Sequence, residues 1–353
     1  MAAAAQFDPD GFDAAFDAAV ANCRELTPDQ ARHFVEHGHV VVKGAFPRGL
    51  ADLVCECAWD ELKAKYGAER GEPDSWRRVG HGGRSGYVRT QGTGRRFTLK
   101  TRAPRALTLQ ADVVGGPQRL TGNGESLAWG DAAIGNLHVA SAPAWRPPGP
   151  RQPGWHKDGW HFRHFLNSPE QGLLTVPIYT DILPRSGGTF IARDSVGPVA
   201  RLLASRPAGF HPDGFQAGYL IPGLIEQCSD FVELTGEAGD LVLVHPYVLH
   251  RVSVNPSPRP RFIANMALVL AEPMCFSRPP GEGYSLVELA ILRALKVPSF
   301  DFEQTRTALA VKPFPFRDEE EAEAQGRLVT EEIAEMEDCG IVAPGWAGDL
   351  GYA

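Results

Sequence analysis

A histidine and an aspartate lie two residues apart, as His156 and Asp158, in the stretch Trp155–Trp160. The proline-rich connector before them, residues 142–154, cannot form a helix. We therefore predict a β-strand at His156, on which residues i and i+2 project from the same face of the sheet. An imidazole and a carboxylate then point together, which supplies two of the three ligands of a 2-His-1-carboxylate metal site.

A second stretch, Gly239–His250, offers the third ligand of such a site, and Arg261 follows it. We expect His250 at the start of one strand and Arg261 on the next antiparallel strand, beyond a turn. The two side chains can then face one cavity, where a planar guanidinium is suited to hold a carboxylate. Without this second stretch, a satisfied polar pair at a sheet surface is the better interpretation of His156 and Asp158.

Other histidines near these stretches are weaker candidates for the third ligand. His245 competes with His250, but it lies sixteen residues before Arg261, which is long for one turn between neighbouring strands. It also follows an apolar strand, so a place in the core or beside the ligands is favoured. Surface or pocket-rim positions are expected for His161 and His164, because they lack the two-residue spacing to the aspartate.

The composition is that of a soluble globular protein, with 43% hydrophobic and 22% charged residues. The 38 glycines and 29 prolines favour many turns and hence a β-rich architecture. A net charge of −8 argues against general nucleic-acid binding, which needs a basic surface. The six cysteines form no Cys-x-x-Cys pair, so no structural zinc site is expected and a reducing compartment is favoured.

The ends of the chain and its apolar runs favour a cytoplasmic protein. The N-terminus lacks a basic region followed by a long apolar run, so no signal peptide is expected. No apolar run approaches the roughly 18 residues of a membrane span. The C-terminus carries no peroxisomal or retention tripeptide. The sequence leaves the oligomeric state open.

The spacing of apolar residues predicts a mainly β core with flanking helices. Strands are expected over residues 39–43, 173–181, 189–191, 241–245 and 261–270, and helices over residues 7–24, 27–38 and 50–66. Thr27 and Gln30 form a capping box for the second of these helices, which Gly38 ends. The tail over about residues 285–340 is helical in character. We predict one domain over residues 1–353, a cupin-like jelly roll with helical additions.

Residues 76–110 contain nine arginines and lysines and no aspartate or glutamate. In a chain of net charge −8 this basic segment creates a local positive field, which can attract an anionic substrate. The alternative is a solvated loop whose charges pair with acidic helices elsewhere, and this alternative is slightly favoured.

Taken together, these stretches resemble the phytanoyl-CoA dioxygenase family of Fe(II)/2-oxoglutarate oxygenases. Three parts carry the resemblance: the segment 26–41, the His156-x-Asp158 pair, and the stretch 239–261. Their order and spacing are more specific than any one of them, and together they span most of the chain up to about residue 270. The tail beyond about residue 275 has no counterpart in the family.

The resemblance implies a double-stranded β-helix whose Fe(II) ligands are His156, Asp158 and His250. It implies a dioxygenase that uses 2-oxoglutarate and O₂ to oxidise a C–H bond of a small-molecule substrate, giving succinate and CO₂. Halogenases of the family lack the carboxylate ligand. Asp158 therefore favours hydroxylation, or a related desaturation or ring closure, over halogenation.

The same resemblance implies three contacts to the co-substrate. Arg261 would bind the distal carboxylate of 2-oxoglutarate. Lys100, on an earlier strand, and Thr189, just after the turn at Gly187 and Gly188, are carried over as further contacts. The expected partner is a small molecule, with no nucleic acid and no membrane involved.

Two other functions stay open at this point. A cupin-like metalloenzyme of a non-oxidative type, such as an isomerase or lyase, needs no counterpart of Arg261 and usually has more histidine ligands. A non-catalytic 2-oxoglutarate-binding protein on the same fold is disfavoured, because a decayed site would be free to lose its ligands.

Overall fold

The computed structural model describes residues 9–81, 84–139, 143–159, 162–209, 223–279 and 281–306, together with residues 334 and 338. The α-helices in these ranges are α1 (Pro9–Ala21), α2 (Pro28–His37), α3 (Arg48–Tyr66), α4 (Leu99–Arg102), α5 (Pro104–Val114), α6 (Val196–Ala204) and α7 (Leu286–Leu295). Short 3₁₀ helices span Pro73–Arg78, Pro117–Arg119, Thr121–Gly124 and Ile225–Gln227. The prediction for His161, and most of the predicted helical tail, lie outside the described residues.

The strands of the same ranges are short, and they all pair antiparallel. They are β1 (His39–Val42), β2 (Gly80–His81), β3 (Arg84–Ser85), β4 (Tyr87–Arg89), β5 (Arg96–Thr98), β6 (Ala128–Gly130), β7 (Ile134–Asn136), β8 (Leu173–Pro177), β9 (Thr189–Ala192), β10 (Phe231–Glu233), β11 (Leu241–Val244), β12 (His250–Val252), β13 (Arg261–Ile263) and β14 (Met266–Leu268).

The chain enters the core through α2 and β1, as the sequence predicts. The Thr27 side chain accepts the N–H of Gln30 at 3.2 Å, and the Gln30 side chain accepts the N–H of Thr27 at 3.0 Å. This capping box satisfies two of the free donors at the start of the helix. Gly38 ends the helix in the left-handed conformation, with φ of 68°, and β1 follows at once.

One face of the core is built from two connected groups of strands. Their orders are β1-β11-β8-β14 and β13-β7-β4. A bridge between Ile178 and Ile263 joins the end of β8 to β13, so the two groups continue into one another. We call this combined layer the first sheet.

The opposite face is the second sheet, with strand order β10-β9-β12. An isolated bridge between His156 and His250 adds the segment at His156 to the free edge of β12. A cavity lies between the two sheets, because residues of β8, β11 and β13 line it together with residues of β9 and β12. Strands that follow one another along the chain are thus divided between two facing antiparallel sheets, which agrees with the predicted jelly-roll core.

The prediction of a mainly β fold is not confirmed, because the described residues are mixed. The longest strand has five residues, whereas α3 alone has 19. Most of the buried apolar side chains form one cluster that runs from Phe16 in α1 to Leu292 in α7. No helix of the described residues is both long enough and apolar enough to cross a membrane.

Two predicted strands differ in the structure. At His156 the chain makes only a one-residue bridge rather than a regular strand. The run predicted as one strand over residues 261–270 is divided into β13 and β14, because it passes from pairing with β7 to pairing with β8. Asn265 lies in the break between them.

Candidate metal centre

His156 and His250 lie opposite each other on neighbouring extended segments. The N–H of His156 donates to the carbonyl of His250 at 3.0 Å, and the N–H of His250 donates back at 2.9 Å. Residues that exchange both hydrogen bonds in an antiparallel ladder place their side chains on the same face. The two imidazole rings are accordingly neighbours, with their centroids 4.4 Å apart.

Asp158 follows His156 by two residues and brings a carboxylate to the same rings. Its Oδ1 lies 3.5 Å from Nε2 of His156, and its Oδ2 lies 3.6 Å from Nε2 of His250. One ligand atom from each of the three side chains lies within 4.8 Å of the others. Two imidazole nitrogens and one carboxylate at this spacing fit a single divalent metal ion.

Hydrogen bonds at Nδ1 of each ring favour the tautomer in which Nε2 can bind a metal. Nδ1 of His156 lies 2.9 Å from the carbonyl of Gly154, and Nδ1 of His250 lies 3.1 Å from that of Val248. A carbonyl only accepts, so Nδ1 carries the proton in both rings and Nε2 is left with a free lone pair. Nε2 of His250 is buried without a hydrogen-bond partner. A buried orphan nitrogen aimed at a carboxylate fits a metal ligand.

The charges of the three groups are coupled. Burial acts to raise the pKa of Asp158, but His250 and His156 outweigh it and hold that pKa well below its usual range. Burial likewise acts to lower the pKa of His250, and the Asp158 carboxylate reverses this and raises it. The aspartate is therefore ionised, as a metal ligand must be.

Asn265 holds the carboxylate from the first sheet, and the sequence analysis did not single it out. Its side-chain Nδ2 donates to Oδ2 of Asp158 at 2.9 Å. The break between β13 and β14 puts Asn265 beside the Asp158 carboxylate, and the Asn265 side chain also lines the cavity. A polar residue inside the apolar run 261–270 was the one signal in the sequence.

Arg261 is the most unusual side chain of the cavity. It is 2% exposed, and its Nε donates to the carbonyl of Gly187 at 2.9 Å while Nη1 donates to that of Ile134 at 3.2 Å. No carboxylate of the described residues lies within 4.0 Å of its guanidinium. Burial lowers its pKa to about 10. A buried cation without an acidic partner is costly unless a ligand supplies the anion.

The carbonyl of Gly187 helps to fix this guanidinium. It also accepts Nδ2 of Asn136 at 3.0 Å. Gly187 adopts φ of +84°, and a Cβ there would lie 2.7 Å from Nδ2 of Asn136. Only glycine therefore lets the chain approach Asn136 and present its carbonyl to Arg261.

The cavity between the sheets brings most of the predicted site residues together. It has a volume of about 70 Å³, room for several water molecules, and Arg261 lines it together with His156, His250 and Thr189. The remaining wall is mainly aliphatic, with Leu, Ile and Val side chains from both sheets. Thr189 stands at the start of β9, where the sequence predicted it.

Lys100 does not belong to this cavity. It lies in α4 rather than on a strand, and its exposed Nζ forms an ion pair with Glu125 at 2.5 Å. The basic residue of the earlier segment that lines the cavity is Arg89 of β4, together with Tyr87. The prediction of Lys100 was wrong because it relied on the distance along the chain, whereas α4 turns this side chain outward.

The other two described histidines near the motif are held by the backbone. His245 accepts the N–H of Tyr247 on Nδ1 at 3.1 Å, and its Nε2 lies 3.3 Å from the carbonyl of Val287. Burial lowers its pKa to about 3, so it is a neutral residue of the core. His164 is 1% exposed rather than on the surface, and its contacts are described below.

No protein-family model matches the chain, and no curated protein matches it. Among solved structures, the epimerase SnoN in complex with Fe³⁺, alpha ketoglutarate and nogalamycin RO is similar, with 15% identity and a TM-score of 0.44 over 88% of this chain and 98% of that one. The alpha ketoglutarate dependent carbocyclase SnoK of nogalamycin biosynthesis has 15% identity and a TM-score of 0.41, over 70% and 86%.

EctD from S. alaskensis with 2-oxoglutarate and 5-hydroxyectoine has 16% identity and a TM-score of 0.33, over 75% of this chain and 83% of that one. SnoN and SnoK are described as alpha ketoglutarate dependent, and the EctD structure contains 2-oxoglutarate, which is the same compound. At these identities and TM-scores the likeness transfers neither activity nor substrate to this chain. Membership of the phytanoyl-CoA dioxygenase family stays a prediction.

Proposed function

We propose that the chain is an Fe(II)- and 2-oxoglutarate-dependent dioxygenase that oxidises a C–H bond of a small molecule. One observation carries the proposal. The two imidazoles of a cluster that also holds one carboxylate line the same cavity as a buried guanidinium, which has no acidic partner among the described residues. The two imidazoles and the carboxylate suit Fe(II), and the guanidinium suits the carboxylate of a metal-chelating ligand.

In this proposal His156, Asp158 and His250 hold the iron, and Arg261 binds the distal carboxylate of 2-oxoglutarate. When bound, iron and 2-oxoglutarate together activate O₂ to oxidise the substrate, with release of succinate and CO₂. Three protein ligands leave open positions for the co-substrate and O₂. The aliphatic wall of the cavity is a low-dielectric surrounding, which would strengthen the contact between Arg261 and the carboxylate. Thr189 is proposed as a further contact to the co-substrate.

Two features of the chain bear on the reaction type and the substrate. Asp158 occupies the ligand position that must be vacant for halide binding, so we propose hydroxylation or a related oxidation rather than halogenation. Arg89 lines the cavity, is exposed and makes no ion pair within the described residues. This charge supports an anionic substrate or faster capture of the anionic co-substrate.

The unpaired Arg261 also favours an oxygenase over the non-oxidative alternative. A non-oxidative cupin-like enzyme has no need for a buried cation beside the metal. A non-catalytic binding protein would bind 2-oxoglutarate in the same way, so turnover is the property that separates it from the proposed enzyme.

The test is succinate release by the full chain with Fe(II), 2-oxoglutarate and O₂, with and without a panel of small carboxylated and phosphorylated substrates. We expect turnover that depends on His156 and is lost in His156→Ala. His37→Ala is the matched control, because this histidine lies on α2 outside the cavity. Full turnover in His156→Ala, or tight 2-oxoglutarate binding without any turnover across the panel, would contradict the proposal.

A further inference from the structure

Lys157, between the first two ligands, is buried but does not line the cavity. It is 2% exposed, which is rare for a lysine. On an extended chain the residue between two that share a face points to the opposite side. Its ammonium group thus lies behind the metal site, where water cannot reach it. A buried cation at that position needs a reason, because burial costs free energy unless the ammonium is hydrogen-bonded.

Two hydrogen bonds tie the Lys157 ammonium to the backbone around Asp158, one directly and one through His164. Its Nζ donates to Nδ1 of His164 at 2.7 Å and to the carbonyl of Asp158 itself at 3.2 Å. Nε2 of His164 lies 2.6 Å from the carbonyl of Gly159. An ammonium only donates, so Nδ1 of His164 accepts and its Nε2–H donates to Gly159. The carbonyls of Asp158 and Gly159 therefore both accept hydrogen bonds from the side opposite the metal site.

The glycine that follows the aspartate makes this arrangement possible. Gly159 has φ of +115°, and a Cβ there would lie 2.6 Å from Cε1 of His164 and 2.6 Å from Cε1 of Phe162. The rings of Phe162 and His164 stack with centroids 4.2 Å apart. The rings of Phe162 and His164 thus lie against the backbone of the residue next to the ligand, and any side chain at Gly159 would displace them.

We propose that Lys157 and His164 are positioning residues that fix the backbone of Asp158, so that its carboxylate is held where the metal binds. Asn265 fixes the carboxylate from the front, whereas this pair, which we call the rear clamp, fixes the main chain from behind. Outer partners of this kind set the geometry of a metal ligand without touching the ion. The inference rests on the proposed metal site, but not on the identity of the substrate.

The rear clamp makes a prediction that a merely structural role does not. Lys157→Met removes the desolvation cost of a buried ammonium, but it also leaves the carbonyl of Asp158 and Nδ1 of His164 without this donor. The two effects oppose each other, so the melting temperature of the metal-free protein should change little. Metal binding should weaken, because the backbone of Asp158 loses a hydrogen bond. A loss of metal affinity without a matching loss of stability distinguishes positioning from packing.

The experiment is a titration of the metal-free full chain with Co(II), followed by the visible absorption of the bound ion. We expect the Co(II) Kd of Lys157→Met to rise by about 10- to 100-fold, the usual effect of losing an outer partner. The intensity of the absorption bands should also change, since the coordination geometry relaxes. An unchanged Kd and spectrum in a folded Lys157→Met protein would overturn the rear clamp.

Two variants of His164 keep the proposal testable if Lys157→Met does not fold. His164→Asn can still accept from Lys157 but cannot donate to Gly159, whereas His164→Gln can donate to Gly159 but not accept from Lys157. Each should raise the Co(II) Kd, and an unchanged Kd in both folded variants would overturn the clamp. Where Lys157→Met folds, combining it with His164→Gln should add little, because both remove the same contact. Fully additive effects would overturn the clamp. A wild-type chain that binds no Co(II) overturns the proposed metal site as well, which separates the two failures.

Discussion

Replacing Arg261 by methionine should abolish tight binding of 2-oxoglutarate and leave the fold intact. The guanidinium is buried, and two of its five N–H groups are used by the carbonyls of Gly187 and Ile134. Three remain for a ligand carboxylate. Removing one partner of a buried, hydrogen-bonded charge pair costs about 2–5 kcal/mol. The Kd of 2-oxoglutarate should thus rise by roughly 30- to 5000-fold.

The assay is calorimetric titration of the Co(II)-loaded protein without oxygen, with 2-oxoglutarate and with 2-oxobutyrate, which lacks the distal carboxylate. In the wild type, 2-oxobutyrate should bind more weakly by the same factor that the substitution costs. In Arg261→Met the two ligands should bind with similar affinity, because nothing is left to recognise the missing group. The melting temperature of the metal-free variant should not fall by much, since a buried cation without an acidic partner has been removed.

One result would refute this reasoning directly. If Arg261→Met kept the full preference for 2-oxoglutarate over 2-oxobutyrate, the distal carboxylate would have another partner. The buried guanidinium would then be only a support for the carbonyls of Gly187 and Ile134, and the proposed co-substrate would lose its main evidence.

Asn265→Ala should raise the Co(II) Kd by about 10- to 100-fold, because Asp158 loses the amide that holds its carboxylate at 2.9 Å, and an unchanged Kd in a Co(II) titration would count against this contact. Lys100→Ala should leave the 2-oxoglutarate Kd unchanged, whereas Arg89→Ala should slow association and reduce its dependence on salt in stopped-flow measurements. His245 has a folded pKa of about 3 against an ordinary 6.5, so its contribution to stability is complete above pH 6.5 and is lost as the pH falls from there towards about 3. Between pH 7 and pH 5 this amounts to about 2 kcal/mol of unfolding free energy, measured by urea denaturation; an equal pH dependence in His245→Gln would disprove the assignment.

The entry to the fold could be predicted from the sequence because its signals are local. Thr27, Gln30 and Gly38 each act on the backbone within a turn of helix, and the structure has the capping box and the left-handed glycine as predicted. The helix α7 also begins at a capping box, formed by Ser285 and Glu288, which was not among the predictions. Hydrogen bonds within one turn of the helix determine where these helices begin or end, independently of the rest of the chain.

The ligand set could be proposed from spacing, but the geometry that joins it could not. His156 and Asp158 show their relation in the sequence because two residues separate them. The exchange of backbone hydrogen bonds between His156 and His250 is a pairing across more than ninety positions, and it forms a single bridge rather than a strand. Strand propensities do not predict a bridge of one residue, because the stability of such a bridge comes entirely from tertiary contacts.

Lys100 and Asn265 illustrate why the surroundings of the site were harder to predict than the ligands. Which basic residue of the segment 76–110 enters the cavity depends on the turn at Thr98, after which α4 carries Lys100 outward. The run 261–270 is apolar enough for one continuous strand. Its break at Asn265 follows from a change of pairing partner, which the sequence of the run itself does not encode.

The division of the site between the two sheets links these observations. The second sheet and its edge supply the proposed metal ligands His156, Asp158 and His250, whereas the first sheet supplies Arg261 and Asn265. A chelating dicarboxylate must therefore span both layers, with its metal-binding end on one and its distal carboxylate on the other. The separation of the sheets then sets the length of the ligand that fits. Enlarging an aliphatic residue between them should discriminate against 2-oxoglutarate before it disturbs the metal, because the three metal ligands lie on one side of the gap.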